Sequence, residues 1–118
     1  MTVAPTALTV LTTVDSAEKA EALARGAVEA RLAACAQIVG PITSVYHWQR
    51  TIEASQEWQV VFKTTQSRYD ALEAHLLAVH DYETPEIVAT AIVRASAAYL
   101  KWIETETGTG TETGTAVS

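Results

Sequence analysis

Cysteine occurs once in 118 residues, as Cys35, which excludes an intrachain disulfide and any metal knuckle built on paired cysteines. Basic residues are also few: Lys and Arg number 8 against 14 Asp and Glu, for a formal net charge of −6. They are scattered from Lys19 to Lys101 without a basic run, and binding a phosphate backbone needs clustered cations, so no nucleic-acid partner is expected. No apolar run nears the roughly 20 residues that span a bilayer, so no membrane partner is expected either. The N-terminal MTVAPTAL has neither a basic segment nor a long apolar one; the sequence reads as lacking a secretory signal, with the cytoplasm as its setting. A glycine-rich phosphate loop, a G-x-S-x-G elbow and an H-E-x-x-H helix are all missing. What remains is the composition of an ordinary globular domain, 48% hydrophobic and 19% charged.

The apolar pattern changes period along the chain. ALTVLTTV (7–14) alternates and is rich in β-formers, predicting a strand. Asp15 with Glu18 three residues on has the spacing of a capping box and opens a helix to about Leu32, with Ala20, Leu23, Ala27 and Val28 on its buried face. ACAQIVGPITSVYHW (34–48) predicts a long strand interrupted at Gly40-Pro41 by a bulge or an edge position, because proline cannot donate to a ladder. After a turn at 49–51, a second long strand runs from about Ile52 to Thr64. SRYDALEAHLLAVH (67–80) predicts an amphipathic helix buried through Tyr69, Leu72, Leu76 and Val79. EIVATAIVRA (86–95) reads as a buried strand, and Ser96 caps a last helix carrying Tyr99, Trp102 and Ile103. From Thr105 the Thr/Gly/Glu-rich segment TETGTGTETGTAVS lacks the apolar surface to fold, so residues 1–104 form one domain and 105–118 a disordered tail. The order β-α-β-β-α-β plus a helix predicts an α+β, ferredoxin-like sandwich with a long β-hairpin.

That hairpin raises a question of size. At roughly 3.3 Å per residue the 34–48 run reaches about 50 Å, against about 34 Å across for a compact chain of this length. Its far half carries Tyr46, Trp48, Ile52 and Trp58, and burying each aromatic is worth roughly 1.5–3 kcal/mol. Either the bulge folds the hairpin back onto its own sheet or a neighbouring subunit covers it.

Chemistry concentrates in HDYETPEIV (80–88), where His80, Asp81, Glu83 and Glu86 surround Tyr82 and Pro85. In a loop these groups could converge on a cation, although zinc sites usually want more His or Cys than one. The other reading is that His80 closes the preceding helix at the negative end of its dipole. Cys35, between alanines, is either a small buried hydrophobe or a thiolate. Lys63, isolated among apolar strand residues, is either buried and paired with Glu86 or solvated on an open face.

RLAACAQIVGPITSVYHWQ (31–49), FKT (62–64), HDYETPEIV (80–88) and AYLKWI (98–103) together resemble the CutA family of divalent-cation tolerance proteins over roughly residues 7–103. The resemblance implies a fold similar to the PII signalling proteins, a tight homotrimer whose hairpins reach onto neighbouring subunits, and no catalytic activity. It further implies tolerance of copper and other divalent metals, with Cys35, Trp48, Lys63, His80, Tyr82 and Glu86 lining clefts between subunits. On this basis His80, Asp81, Glu83, Glu86 and Cys35 are the candidate ligands for copper(II) or zinc, and Trp48, Lys63 and Tyr82 the candidate cleft residues. Asp81 stands where the family commonly has proline, and WQRT replaces its usual W-x-G-K hairpin turn. The alternative function is a PII-like small-ligand sensor or protein-interaction scaffold, with Lys63 taking an anion.

Overall fold

The computed structural model describes residues 6–108. In chain order the elements are β1 (Ala7–Val14), α1 (Ala17–Glu29), β2 (Cys35–Trp48), β3 (Thr51–Thr65), a 3-10 turn (Gln66–Arg68), α2 (Tyr69–Val79), β4 (Val88–Ala91) and α3 (Ala97–Glu106). The strands form one antiparallel sheet in the order β2-β3-β1-β4, the ferredoxin-like arrangement expected from the pattern.

Alternation gives the sheet two unlike faces. Leu8, Val10, Val14, Val60 and Phe62 point toward α1 and α2, where Leu23, Ala27, Leu72 and Leu76 complete the core. The opposite face is covered at one end only, by α3, whose Ile103 packs on Ala7 and Ala34. Beyond that end Leu11, Val61 and Val88, opposite one another across β1, β3 and β4, are half-buried or exposed.

Several local readings shift. The cap of α1 is Ser16, whose Oγ accepts from the Lys19 amide, and not Asp15, which instead pairs with the Lys19 ammonium. The helix stops at Glu29 rather than Leu32 because Arg31 turns left-handed (φ 58°); the Arg31 amide then donates to Val28 O and that of Leu32 to Ala27 O, closing a Schellman motif. Val28 and Val79, expected inside, are exposed; Ala24 takes the place expected of Val28 in the core. The expected buried strand at 86–95 is a four-residue strand exposed at every position, because it lies at the edge of the sheet and pairs only with β1. The expected boundary at 104 falls inside α3; Thr107 is buried and its carbonyl accepts from Arg68 Nε at 2.6 Å. Of the tail expected over 105–118, residues 109–118 lie outside the described residues.

The hairpin is as long as the arithmetic required. The β2–β3 register slips between Val39 and Ile42, a bulge at Gly40-Pro41, whose peptide bond is cis. A Cβ on Gly40 would sit 2.7 Å from Trp58 Cγ, so glycine is what lets the bulged strand lie on that ring. Trp58 therefore packs against the core and is not part of the overhanging surface. Past the bulge the ladder continues to a two-residue turn, Gln49 and Arg50, both left-handed (φ 48° and 69°). The chain extends 48 Å along its longest axis, and its radius of gyration of 15.4 Å exceeds the roughly 13 Å of a compact chain this long.

Candidate functional site

The His80 corner is built where α2 ends over the end of β1. His80 is the C-cap of α2, in extended conformation, and its side chain is fully buried. Nε2 lies 2.9 Å from Thr13 O and 3.2 Å from Thr12 Oγ1, while Nδ1 accepts from the Tyr82 amide at 3.1 Å. Because Nδ1 accepts, the proton sits on Nε2 and is donated to the β1 carbonyl. Both ring nitrogens are thus committed to holding the loop onto the strand. The imidazole also packs at a tilt on Tyr82, centroids 4.8 Å apart.

Tyr82 continues the chain of contacts. Its hydroxyl donates to Glu57 Oε2 at 2.7 Å, tying the loop to β3 near the bulge. Burial, and then the Glu57 carboxylate, push the phenol above its ordinary pKa. Asp81 turns outward and, with Asp15, grips the Lys19 ammonium. Lys19 is held well above the usual lysine range by its hydrogen bonds to Asp15 and then Asp81, and Asp81 below the usual carboxylate range by Lys19. Lys19, His75, Val79 and Asp81 rim a shallow, mainly apolar groove of about 270 Å³ between α1 and α2.

The five expected metal ligands are not brought together within one chain. Among the described residues no three His, Cys, Asp or Glu groups are placed to share an ion. His80 has no free nitrogen and Asp81 is engaged by Lys19. Cys35 lies on the other face of the sheet: it stands opposite Lys63, which stands opposite Thr9, whereas His80 reaches Thr12 on the helix face. Glu83 and Glu86 are exposed and form no ion pair among the described residues.

The three cleft residues are equally dispersed. Trp48 ends β2 at the hairpin tip, 59% exposed, roughly 40 Å along the strand from the Cys35–Lys63 pair. Lys63 does not meet Glu86; its ammonium donates to Gln37 Oε1 at 3.1 Å on the open face. Beside it, Cys35 Sγ lies 3.6 Å from the Tyr99 hydroxyl, whose pKa burial and then the thiol push up to about 12. Glu57, Lys19 and Gln37 were not singled out from the sequence; each meets its partner through strand pairing or helix packing 25 to 62 residues away.

A sequence model described as the CutA1 divalent ion tolerance protein matches residues 8–106. The chain belongs to this family. A divalent-cation tolerance protein CutA from Thermus thermophilus is 42% identical over 99 residues, covering 84% of this chain and 96% of the relative. The chloroplastic CutA of Arabidopsis thaliana is 37% identical over 100 residues, and there 85% of this chain matches 55% of the relative. Among solved structures, CutA1 from Oryza sativa superposes with a TM-score of 0.86 at 34% identity, covering 90% of this chain and 97% of that one. In family terms the His80 corner is thus part of a CutA fold, and its hydrogen bonds explain why a histidine stands there.

Proposed function

We propose that the chain serves divalent-cation tolerance without catalysis, as a homotrimer that takes up ions such as copper(II) or zinc at clefts between subunits. Family membership supports the cation role. The observation that carries the shared-cleft reading is the combination of a donor set that is incomplete in one chain with apolar surface left bare on the hairpin and beyond β4. Val45 and Ile52, diagonal neighbours across the hairpin, are 67% and 69% exposed, and Val93 beyond β4 is 85% exposed. Such surface on an otherwise well-packed domain supports docking by another copy.

The exposed carboxylates Glu83 and Glu86 flank the entry to β4 and supply oxygen donors that a second subunit can complete. His80 serves this site as a positioning residue, since a ligand role would require it to give up the Tyr82 amide or the Thr13 carbonyl. Oxygen donors with at most one thiol suit divalent ions better than copper(I), which prefers several soft sulfurs. The test is calorimetric titration of metal-free protein with copper(II) and zinc(II), in wild type and in Glu83→Gln/Glu86→Gln. Saturable binding that weakens in the double variant agrees with the proposal; binding indifferent to both carboxylates contradicts it.

A further inference from the structure

α1 and α2 lie side by side on the sheet and leave between them the groove of about 270 Å³ rimmed by Lys19, His75, Val79 and Asp81. Its lining reaches the core residues Val14 and Leu23 and, on α1, the small residues Ala22 and Gly26. Val79, at the end of α2, leaves 53% of its surface to water there. Gly26 stands inside α1, where glycine weakens a helix relative to alanine. Packing against α2 does not require it. A Cβ at Gly26 would meet His75 Nε2 at 3.5 Å, an ordinary van der Waals contact. What the missing side chain provides is room in the groove.

The surroundings are acidic. Arg25 is engaged by Glu21, and Lys19 is shared between Asp15 and Asp81. Glu18 and Glu29 of α1 then take part in no ion pair among the described residues, and one carboxylate of the Asp15–Asp81 couple is in excess. Glu18 precedes Ala22 by four residues and Glu29 follows Gly26 by three, so both border the stripe of α1 that lines the groove.

Sites that enclose a whole metabolite run to roughly 300–1,000 Å³. This groove is smaller and open, a size that suits one or two apolar side chains of a larger partner. An amphipathic helix presents such anchors three or four residues apart. Lysines or arginines flanking that stripe would meet the uncompensated carboxylates.

We propose that the α1–α2 groove docks a basic amphipathic helix of another protein, with leucine-sized anchors beside Gly26 and Val79 and its cations facing Glu18, Glu29 and the Asp15–Asp81 couple. The groove is on the helix side of the sheet, away from the bare hairpin surface and the open face. It uses neither Glu83 nor Glu86, so it stands apart from the cation reading.

The probe is a fluorescent synthetic peptide of leucine and lysine with its leucines at helical spacing, beside a scrambled peptide of the same composition. Anisotropy is recorded against the full-length protein at low and at physiological salt. Saturable binding of the patterned peptide is expected, weaker for the scrambled one and weaker as salt rises. Gly26→Leu, which fills the groove, and Val79→Lys, which sets a cation on its wall, should each weaken binding about tenfold or more, with circular dichroism and copper(II) titration matching wild type. Val79→Lys changes an exposed position, so the test stands even where Gly26→Leu perturbs its helix. Equal binding of the two peptides means charge attraction alone, and equal affinity in wild type and Val79→Lys means another surface; either overturns the proposal. So does a folded Gly26→Leu that alters sedimentation, since the groove then seats a second copy of this chain.

Discussion

Replacing His80 by alanine separates a structural histidine from a metal ligand. The ring is fully buried and joins three backbone or side-chain groups: it donates to Thr13 O, lies near Thr12 Oγ1, and accepts from the Tyr82 amide. Alanine leaves the Thr13 carbonyl and the Tyr82 N–H without partners, at about 1–3 kcal/mol for each buried group. Lost packing against Tyr82 and the space left behind add to this, so the expected destabilisation is about 3–5 kcal/mol. His80→Asn places an acceptor near the Nδ1 position and His80→Gln a donor near Nε2, and each should recover about 1 kcal/mol. Urea unfolding followed by tryptophan fluorescence, at one fixed protein concentration, measures all three. A loss under about 1 kcal/mol in His80→Ala, together with abolished cation binding in a folded His80→Asn, would refute the positioning role.

Other consequences follow from the hairpin and from the phenols. Gly40→Ala would drive a Cβ to 2.7 Å from Trp58 Cγ and should cost about 1–3 kcal/mol in the same unfolding assay, whereas a loss near zero would mean the ring shifts freely. Replacing Gln49-Arg50 by Asn-Gly, suited to two left-handed positions, should stabilise the hairpin by about 1 kcal/mol, read as a rise in thermal midpoint. The Tyr99 hydroxyl is raised from 10.0 to about 12 by burial, then by Cys35. The unfolded chain therefore loses this proton first, so the contribution is intact below pH 10 and declines through about pH 12. Tyrosinate absorbance and unfolding free energy recorded across that window should show less of this decline in Tyr99→Phe.

The sheet was legible because its signals are local and repetitive. Alternation in 7–14 and 52–64, together with the break at Gly40-Pro41, led to β1, β3 and the bulge. The helix cap was misplaced by one residue because Asp15 and Ser16 are both good capping types; only packing decides that Asp15 serves Lys19 instead. The β4 segment misled for a different reason. A continuous apolar run looks the same whether a strand is buried by its own chain or is an exposed edge. The candidate site was legible as a corner but not as a set of roles. HDYETPEIV marks the place, yet whether His80 Nδ1 faces an ion or the Tyr82 amide depends on where β1 passes. Pairings such as Tyr82–Glu57 and Lys63–Gln37 depend on register across 25 and 26 residues, which composition and periodicity do not encode.

The central claim is that cation binding belongs to the assembly and not to the single chain. The most direct test is calorimetric copper(II) titration of the wild type beside Val45→Asp/Ile52→Asp, which places charges on the exposed hairpin face, with sedimentation equilibrium run on both samples. A wild-type trimer that binds copper(II) saturably, beside a folded monomeric variant that has lost that binding, is the predicted result. A folded monomer that binds copper(II) as tightly as the wild type would contradict the account.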